Sequence, residues 1–306
     1  MTLVAVAPLR VLVAGQDGQL ARALVEQACA RAGIALVAIG PPELDITDAG
    51  SVARAVAAHR PDVIVNAAAY TAVDAAESDA ETARRVNEVG ARIVAEAAAN
   101  AGAVVIHVST DYVFDGAKLA PYVEGDATGP ISVYGATKLA GERAVVASAP
   151  RHAIARTAWL HSPWGKNFVK TMLMLAATRD ELRVVDDQVG SPTYAPDLAD
   201  ALLALATGLA SRPAGDTAFG IYHVAGSGQT SWAGLAAEVF AVSAGLGGPH
   251  AHVVPIPGSA YPTPARRPAN SRLDGARLAG LIGGPLPSWQ EGVARCVPRL
   301  LAAGRG

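Results

Sequence analysis

A chain of 306 residues, 51% of them hydrophobic, is long enough to bury a sizeable core in one large domain or in a large and a small one. A formal net charge of −2 offers no basic footprint for nucleic acid, and no apolar run approaches the roughly 18 uninterrupted residues that a membrane span requires. Small molecules are the expected partners.

Residues 1–8 carry no basic leader, so a secretory signal is not expected and the chain is read as cytoplasmic. The first β-type run covers 10–14 and enters Gly15-Gln-Asp-Gly18, after which 19–31 carries Leu20, Leu24 and Ala28 at helical spacing. Residues 34–39 form the next strand. Val52 and Val56 fit a helix that His59-Arg60-Pro61 terminates, and 62–66 is a buried strand. Val86, Val89, Ile93 and Ala97 make an apolar stripe that ends before Gly102, followed by a strand over 104–108, a helix holding Tyr134 and Lys138, and a strand over 152–160. Parallel crossovers require a covering helix, so these repeated units predict an α/β fold with a doubly wound parallel sheet of Rossmann type.

Beyond residue 160, proline-rich loops at 162–163, 191–192 and 261–264 mark a smaller domain. Residues 182–187 and 196–209 read as one more βα unit returning to the main sheet. The expected division is a dinucleotide-binding domain over 1–160, rejoined by 182–210, and a smaller, discontinuous substrate-binding domain over 161–181 and 211–306. Cys29 and Cys296 stand far apart in alanine-rich helical contexts, are expected to be buried and reduced, and suggest neither a disulfide nor a metal knuckle.

Ligands of such folds lie across the carboxyl ends of the strands. There fall the glycine turn (Gly15, Gln16, Asp17, Gly18, Gln19, Leu20), the stretch Asn66, Ala67, Ala68, Ala69, and Ser109 with Thr110. Gly15-x-x-Gly18-x-x-Ala21 is either a tight strand-to-helix turn or a pyrophosphate cradle; its place between the first strand and the first helix favours the cradle. Tyr134-Gly-Ala-Thr-Lys138 sets a phenol and an ammonium one helical turn apart on one face, a pair that can protonate a ketone. Alone, that spacing also arises by chance on helix surfaces. Asp45, followed by Ile46, is a turn residue or an acceptor for adenine. His107, in mid-strand, reads as a packed core histidine. Trp159, His161 and Trp164 fall near the cleft mouth, where packing and substrate contact are both open.

The sequence resembles the extended short-chain dehydrogenase/reductases and, within them, the dTDP-4-dehydrorhamnose reductase family. The resemblance covers nearly the whole chain. Its carriers are Gly15-Gln-Asp-Gly18-Gln-Leu20, Val65-Asn-Ala-Ala-Ala-Tyr-Thr-Ala-Val-Asp74, Ser109-Thr-Asp-Tyr-Val-Phe114, Tyr134-Gly-Ala-Thr-Lys-Leu-Ala-Gly-Glu142, Arg156-Thr-Ala-Trp159, Asn167-Phe-Val-Lys-Thr-Met-Leu173, Asp187-Gln-Val-Gly-Ser-Pro-Thr193 and Arg267-Pro-Ala-Asn-Ser-Arg-Leu273. It implies reduction of the C4 ketone of dTDP-6-deoxy-L-lyxo-4-hexulose, with Thr110, Tyr134 and Lys138 as the catalytic set and a dTDP-linked 4-ketohexose as the small-molecule partner. Tyr134 would donate the proton, and Lys138 would lower the phenol's pKa and bond to the nicotinamide ribose. Asp111, Trp159, Asn167 and Arg267 are the expected substrate neighbours.

Asp111-Tyr112 stands where the related 4,6-dehydratases carry Asp-Glu, which disfavours elimination. A C4 epimerase, or a regulatory subunit like that of methionine adenosyltransferase, is the alternative. After the second strand Ile39-Gly-Pro-Pro42 has neither the acid that binds a ribose diol nor an arginine. NADPH is favoured over NADH, with Arg31 or another distant cation assisting. Some relatives are dimers bridged by magnesium through carboxylates, one of them early in the first helix. Ala23 occupies that position here, so no metal is expected and a homodimer stays open.

Overall fold

The computed structural model describes residues 7–303. The expectation of no leader over 1–8 concerns mainly residues 1–6, which lie outside the described part. In the first half, β1 (Leu9–Ala14), α1 (Gln19–Cys29), β2 (Ile34–Ile39), α2 (Ala49–His59), β3 (Val63–Asn66), α3 (Val73–Ala76), α4 (Ala80–Arg84), α5 (Ala91–Asn100), β4 (Val104–Thr110), α6 (Val133–Ser148) and β5 (His152–Thr157) follow in βα order. The second half is more broken, with β6 (Leu160–His161), α7 (Phe168–Ala176), β7 (Glu181–Val185), β8 (Val189–Gly190), β9 (Thr193–Tyr194) and α8 (Ala195–Ala210). It ends with β10 (Gly220–His223), β11 (Thr230–Ser231), α9 (Trp232–Gly245), β12 (His252–Ile256), β13 (Asn270–Ser271), α10 (Ala276–Ile282) and α11 (Trp289–Ala303).

Six strands form the central sheet in the order β10-β5-β4-β3-β1-β2, every neighbouring pair parallel. The chain winds outward from β1 in both directions, so the doubly wound reading holds and the strand order reverses between β1 and β3. Side chains alternate across the sheet: Val11 and Val13 pack beneath α1 and α8, while Leu12 and Ala14 pack against α2 and α5. A third core joins α7, α9 and α11 through Val169, Leu173, Phe240 and Val297.

Sheet membership differs from the sequence expectation in two places. The strand in 182–187 does not return to the main sheet; β7 pairs in parallel with β12 in a ribbon of its own. Its burial alternates along Glu181–Val185, the pattern of a strand covered on one face, whereas a strand inside a doubly covered parallel sheet is apolar on both. The sixth strand of the main sheet is instead β10, from the region expected to belong wholly to the smaller domain; α8 does pack on the main sheet, against α1.

Local breaks explain other differences. The strand expected over 152–160 stops at Thr157, because Trp159 turns the chain out of the sheet in a left-handed conformation, φ 49°. The stripe from Val86 to Ala97 is not one regular helix: a π-helical segment, Arg85–Gly90, precedes α5. Cys296 is buried as expected, but Cys29 is exposed, because it ends α1 on the helix face turned from the sheet. No described helix is long and apolar enough to cross a membrane.

Candidate active site

A cleft of about 1020 Å³ opens at the carboxyl ends of the central strands. Of the positions expected to meet a cofactor, Gly15, Asp17, Gly18, Gln19, Leu20, Asp45, Ile46, Ala67, Ala68, Ala69, Ser109, Tyr134 and Lys138 line it. Gln16 and Asn66 do not. Gln16 Oε1 accepts from the Gly40 amide at 3.2 Å, tying two loops together, and the Asn66 side-chain amide turns inward to His107. Thr110, Asp111, Trp159, Asn167 and Arg267 line the same cleft.

The residues at one end fit a dinucleotide. Gly15 adopts φ 118°, closed to ordinary L side chains, and turns the chain into α1, whose N-cap Gly18 offers no side-chain acceptor. The amides of the first turn thus lack a capping partner and suit a diphosphate. Asp17 is drawn aside by Arg22 at 3.6 Å. Asp45 spends Oδ1 on the Thr47 amide and hydroxyl, each at 2.8 Å. Arg31 cannot assist a 2′-phosphate as expected: it sits beyond the opposite end of α1 and pairs with Asp200 at 2.8 Å.

At the centre, Ser132 caps α6 by accepting from the Gly135 amide at 3.2 Å, and the helix carries Tyr134 in its first turn and Lys138 one turn later, 9% and 2% exposed. The π-helical segment holds this helix in place. There Asn87 accepts from the Tyr70 amide at 2.8 Å and donates to Thr137 at 3.1 Å, while Gly141 packs where a β-carbon would overlap the Asn87 carbonyl oxygen. Gly141→Ala is therefore expected to push α6 off its seat and cost at least about 1–3 kcal/mol of stability, measured as a lower urea midpoint with a fall in activity.

The electrostatics differ from the simple picture of a lysine lowering a phenol. Lys138 Nζ donates to the Val108 carbonyl at 2.7 Å and lies 3.3 Å from His107 Nε2. Burial brings it down to about 8, against the attraction of Glu142. Burial pushes the Tyr134 phenol up to about 12, its hydrogen bond with Thr110 opposing and Asp111 adding to the rise. The Thr110 hydroxyl donates to Asp111 Oδ1 at 2.9 Å. Asp111, pushed up to about 6 by burial with the nearby Ser271 and Thr110 hydroxyls opposing, has Oδ2 without a partner among the described residues. Ser109, expected at the cofactor, gives its hydroxyl to Glu142 at 2.6 Å. Glu142 also takes two bonds from the fully buried Arg156, at 2.9 and 2.7 Å.

The far wall is aromatic. Trp159 stacks on Trp232 with ring centroids 3.5 Å apart, and Phe168 tilts over Trp232 at 4.7 Å. Asn167 caps α7 through the Lys170 amide, and its NH2 reaches Gln19 at 3.0 Å, joining the glycine turn to this wall. Arg267 forms a bidentate pair with Asp74, at 3.1 and 2.9 Å. Trp164 does not line the cleft; it lies under Arg299. His161 is buried against Tyr194. Trp232, Phe168 and Asp74 escaped sequence reasoning. Asp74 and Phe168 stood in recognisable motifs, but nothing local to the Thr-Ser-Trp start of α9 signals the cleft.

A Rossmann sheet whose cleft holds an uncapped glycine turn beside a buried tyrosine and lysine defines an NAD(P)H-dependent oxidoreductase of the short-chain dehydrogenase/reductase class. Comparison with known proteins agrees. The chain belongs to the dTDP-4-dehydrorhamnose reductase family, its residues 9–302 matching the family described as "RmlD substrate binding domain". It is 48% identical to the dTDP-4-dehydrorhamnose reductase of Sinorhizobium fredii over 97% of this chain and 99% of the relative. It is 44% identical to that of Burkholderia thailandensis over 96% and 100%. Among solved structures, the Bacillus anthracis dTDP-4-dehydrorhamnose reductase in complex with NADP superposes with a TM-score of 0.86 at 36% identity, over 94% of this chain and 98% of that one.

Proposed function

We propose that the chain reduces the C4 ketone of dTDP-6-deoxy-L-lyxo-4-hexulose to dTDP-L-rhamnose with NADPH. The carrying observation is that one cleft gathers Tyr134, Thr110 and Lys138 between an anion-accepting helix start and an aromatic wall. The NADP in the Bacillus anthracis relative supports the choice of cofactor. The glycine turn with Asp45, Ile46 and Ala67 to Ala69 would hold that dinucleotide, which supplies a hydride. The α7, α9 and α11 cluster with the loop of Arg267 would form the smaller substrate part, Asp111, Trp159, Asn167 and Arg267 facing the nucleotide sugar.

Negative charge grows on the ketone oxygen as C4 is reduced, and donors fixed at that point stabilise it. Tyr134 gives the proton. Thr110, whose own proton is committed to Asp111, orients the phenol, and Lys138 brings the positive charge that makes a phenolate bearable. Tyr112 occupies the position where a dehydratase needs a base. Burial raises that phenol well above its ordinary range, so it stays protonated and elimination has no base there.

Mixing the protein with NADPH and enzymatically generated dTDP-6-deoxy-L-lyxo-4-hexulose is expected to consume one cofactor per sugar. Net interconversion of C4 epimers without loss of reduced nicotinamide would replace the reading by an epimerase. Absence of any turnover, with copurification of a larger enzyme, would replace it by a regulatory subunit.

A further inference from the structure

Behind the cleft floor lies a buried polar pair that the reaction above does not use. β3 and β4 run in parallel register with Asn66 beside His107, so both side chains leave the same face of the sheet. Each residue is only 1% exposed. The Asn66 side-chain amide lies 3.2 Å from His107 Nδ1. The other ring nitrogen, Nε2, lies 3.3 Å from Lys138 Nζ.

Counting protons decides what this contact can be. An ammonium has only donors, so Nε2 must be a bare lone pair to be compatible with a charged Lys138. The single proton of the neutral ring then sits on Nδ1 and needs an acceptor. The Asn66 carbonyl oxygen supplies one once the amide is oriented with oxygen toward the ring, since the two ends of an amide are told apart by their hydrogen bonds and not by their shape. The opposite tautomer would set an N–H against an ammonium. A protonated ring is disfavoured too, because burial and the neighbouring Lys138 charge hold His107 well below its ordinary value.

We propose that His107 is a positioning residue for Lys138: Asn66 fixes the neutral ring with its proton on Nδ1, and the bare Nε2 accepts from the ammonium, holding it charged one turn from Tyr134. The inference rests on the reading of Lys138 as the cationic partner of the proton donor. Other ionisable groups bear on the same lysine. Glu142 follows one turn later on α6, itself paired with Arg156 of β5, and Asp111 lies just beyond β4 beside Tyr134.

Two measurements on the whole protein test this. Nitrogen NMR of the wild type near neutral pH is expected to show His107 protonated at Nδ1 and bare at Nε2; a proton on Nε2 overturns the proposal even if no variant folds. In His107→Phe, which keeps the bulk and loses the acceptor, the pH at which Lys138 gives up its proton is expected to fall by about one to two units. That loss is read from Lys138 itself by NMR and from the alkaline limb of NADPH binding. His107→Gln, whose carbonyl can accept, is expected to recover most of the shift. An unchanged Lys138 titration in the Phe variant overturns the proposal. A wild type that reduces no 4-ketosugar would instead remove the proposed function while leaving both NMR results to stand.

Discussion

Tyr134→Phe is expected to lower kcat for ketosugar reduction by roughly 10²- to 10⁴-fold, the span that a positioned general acid contributes. NADPH affinity is expected to stay near the wild-type value, because the ring itself is kept. Phe can reproduce the edge-on packing against Tyr112, at 5.5 Å between centroids and 75° between planes, and the Ser132 cap of α6 does not involve the phenol. What disappears is the hydroxyl that meets Thr110 and faces the cleft. Single-turnover loss of nicotinamide absorbance separates the chemical step from product release, and the deficit belongs in that step. A Phe variant that turns over at the wild-type rate would remove Tyr134 as the proton donor.

Arg156→Met is expected to destabilise the fold by about 3–5 kcal/mol, the usual consequence of leaving one member of a buried ion pair alone. The Arg156 and Glu142 side chains are 2% and 4% exposed, so water cannot take over the lost partner. Arg156 also lies over the Phe114 ring at 5.0 Å, and Ser109 completes the carboxylate's shell. The cluster therefore pins β4, β5 and α6 together directly behind Tyr134 and Lys138. Adding Glu142→Leu to Arg156→Met is expected to restore much of the stability, since an apolar pair has no stranded charge. Urea unfolding of both variants checks the contrast. Equal stability of the single variant and the wild type would show that the pair carries no such role.

Most of the scaffold could be read from periodicity because the inner strands of the main sheet, β1, β3, β4 and β5, are largely buried on both faces and stand out as apolar runs. Gly15, Asn66 and Ser109 each mark the end of such a run. The helix of the candidate site was legible for a similar local reason: Tyr134 and Lys138 are four residues apart. What stayed hidden depends on distant contacts. β7 and β12 are separated by some seventy residues and pair beneath α9, and no local pattern marks that partnership. Trp232 reaches the cleft by stacking on Trp159, and the bond that joins Gln19 to Asn167, both expected at the cleft, links positions far apart in the chain. His107 looked like packing because burial and hydrogen bonding to Lys138 are indistinguishable along a single strand. The direction of the Lys138 ammonium, toward the strand and not toward the phenol, likewise belongs to the three-dimensional arrangement alone.

The unequal fate of the two thiols gives the chain a practical asymmetry. Cys296 lies at 0% exposure with its thiol pushed up to about 12 by burial, so it remains protonated and inert toward alkylating dyes. Cys29 stands in the open at the tail of the helix whose opposite tip faces the cleft. A maleimide fluorophore will therefore attach at one defined spot without any prior mutagenesis, at the end of α1 away from the cleft.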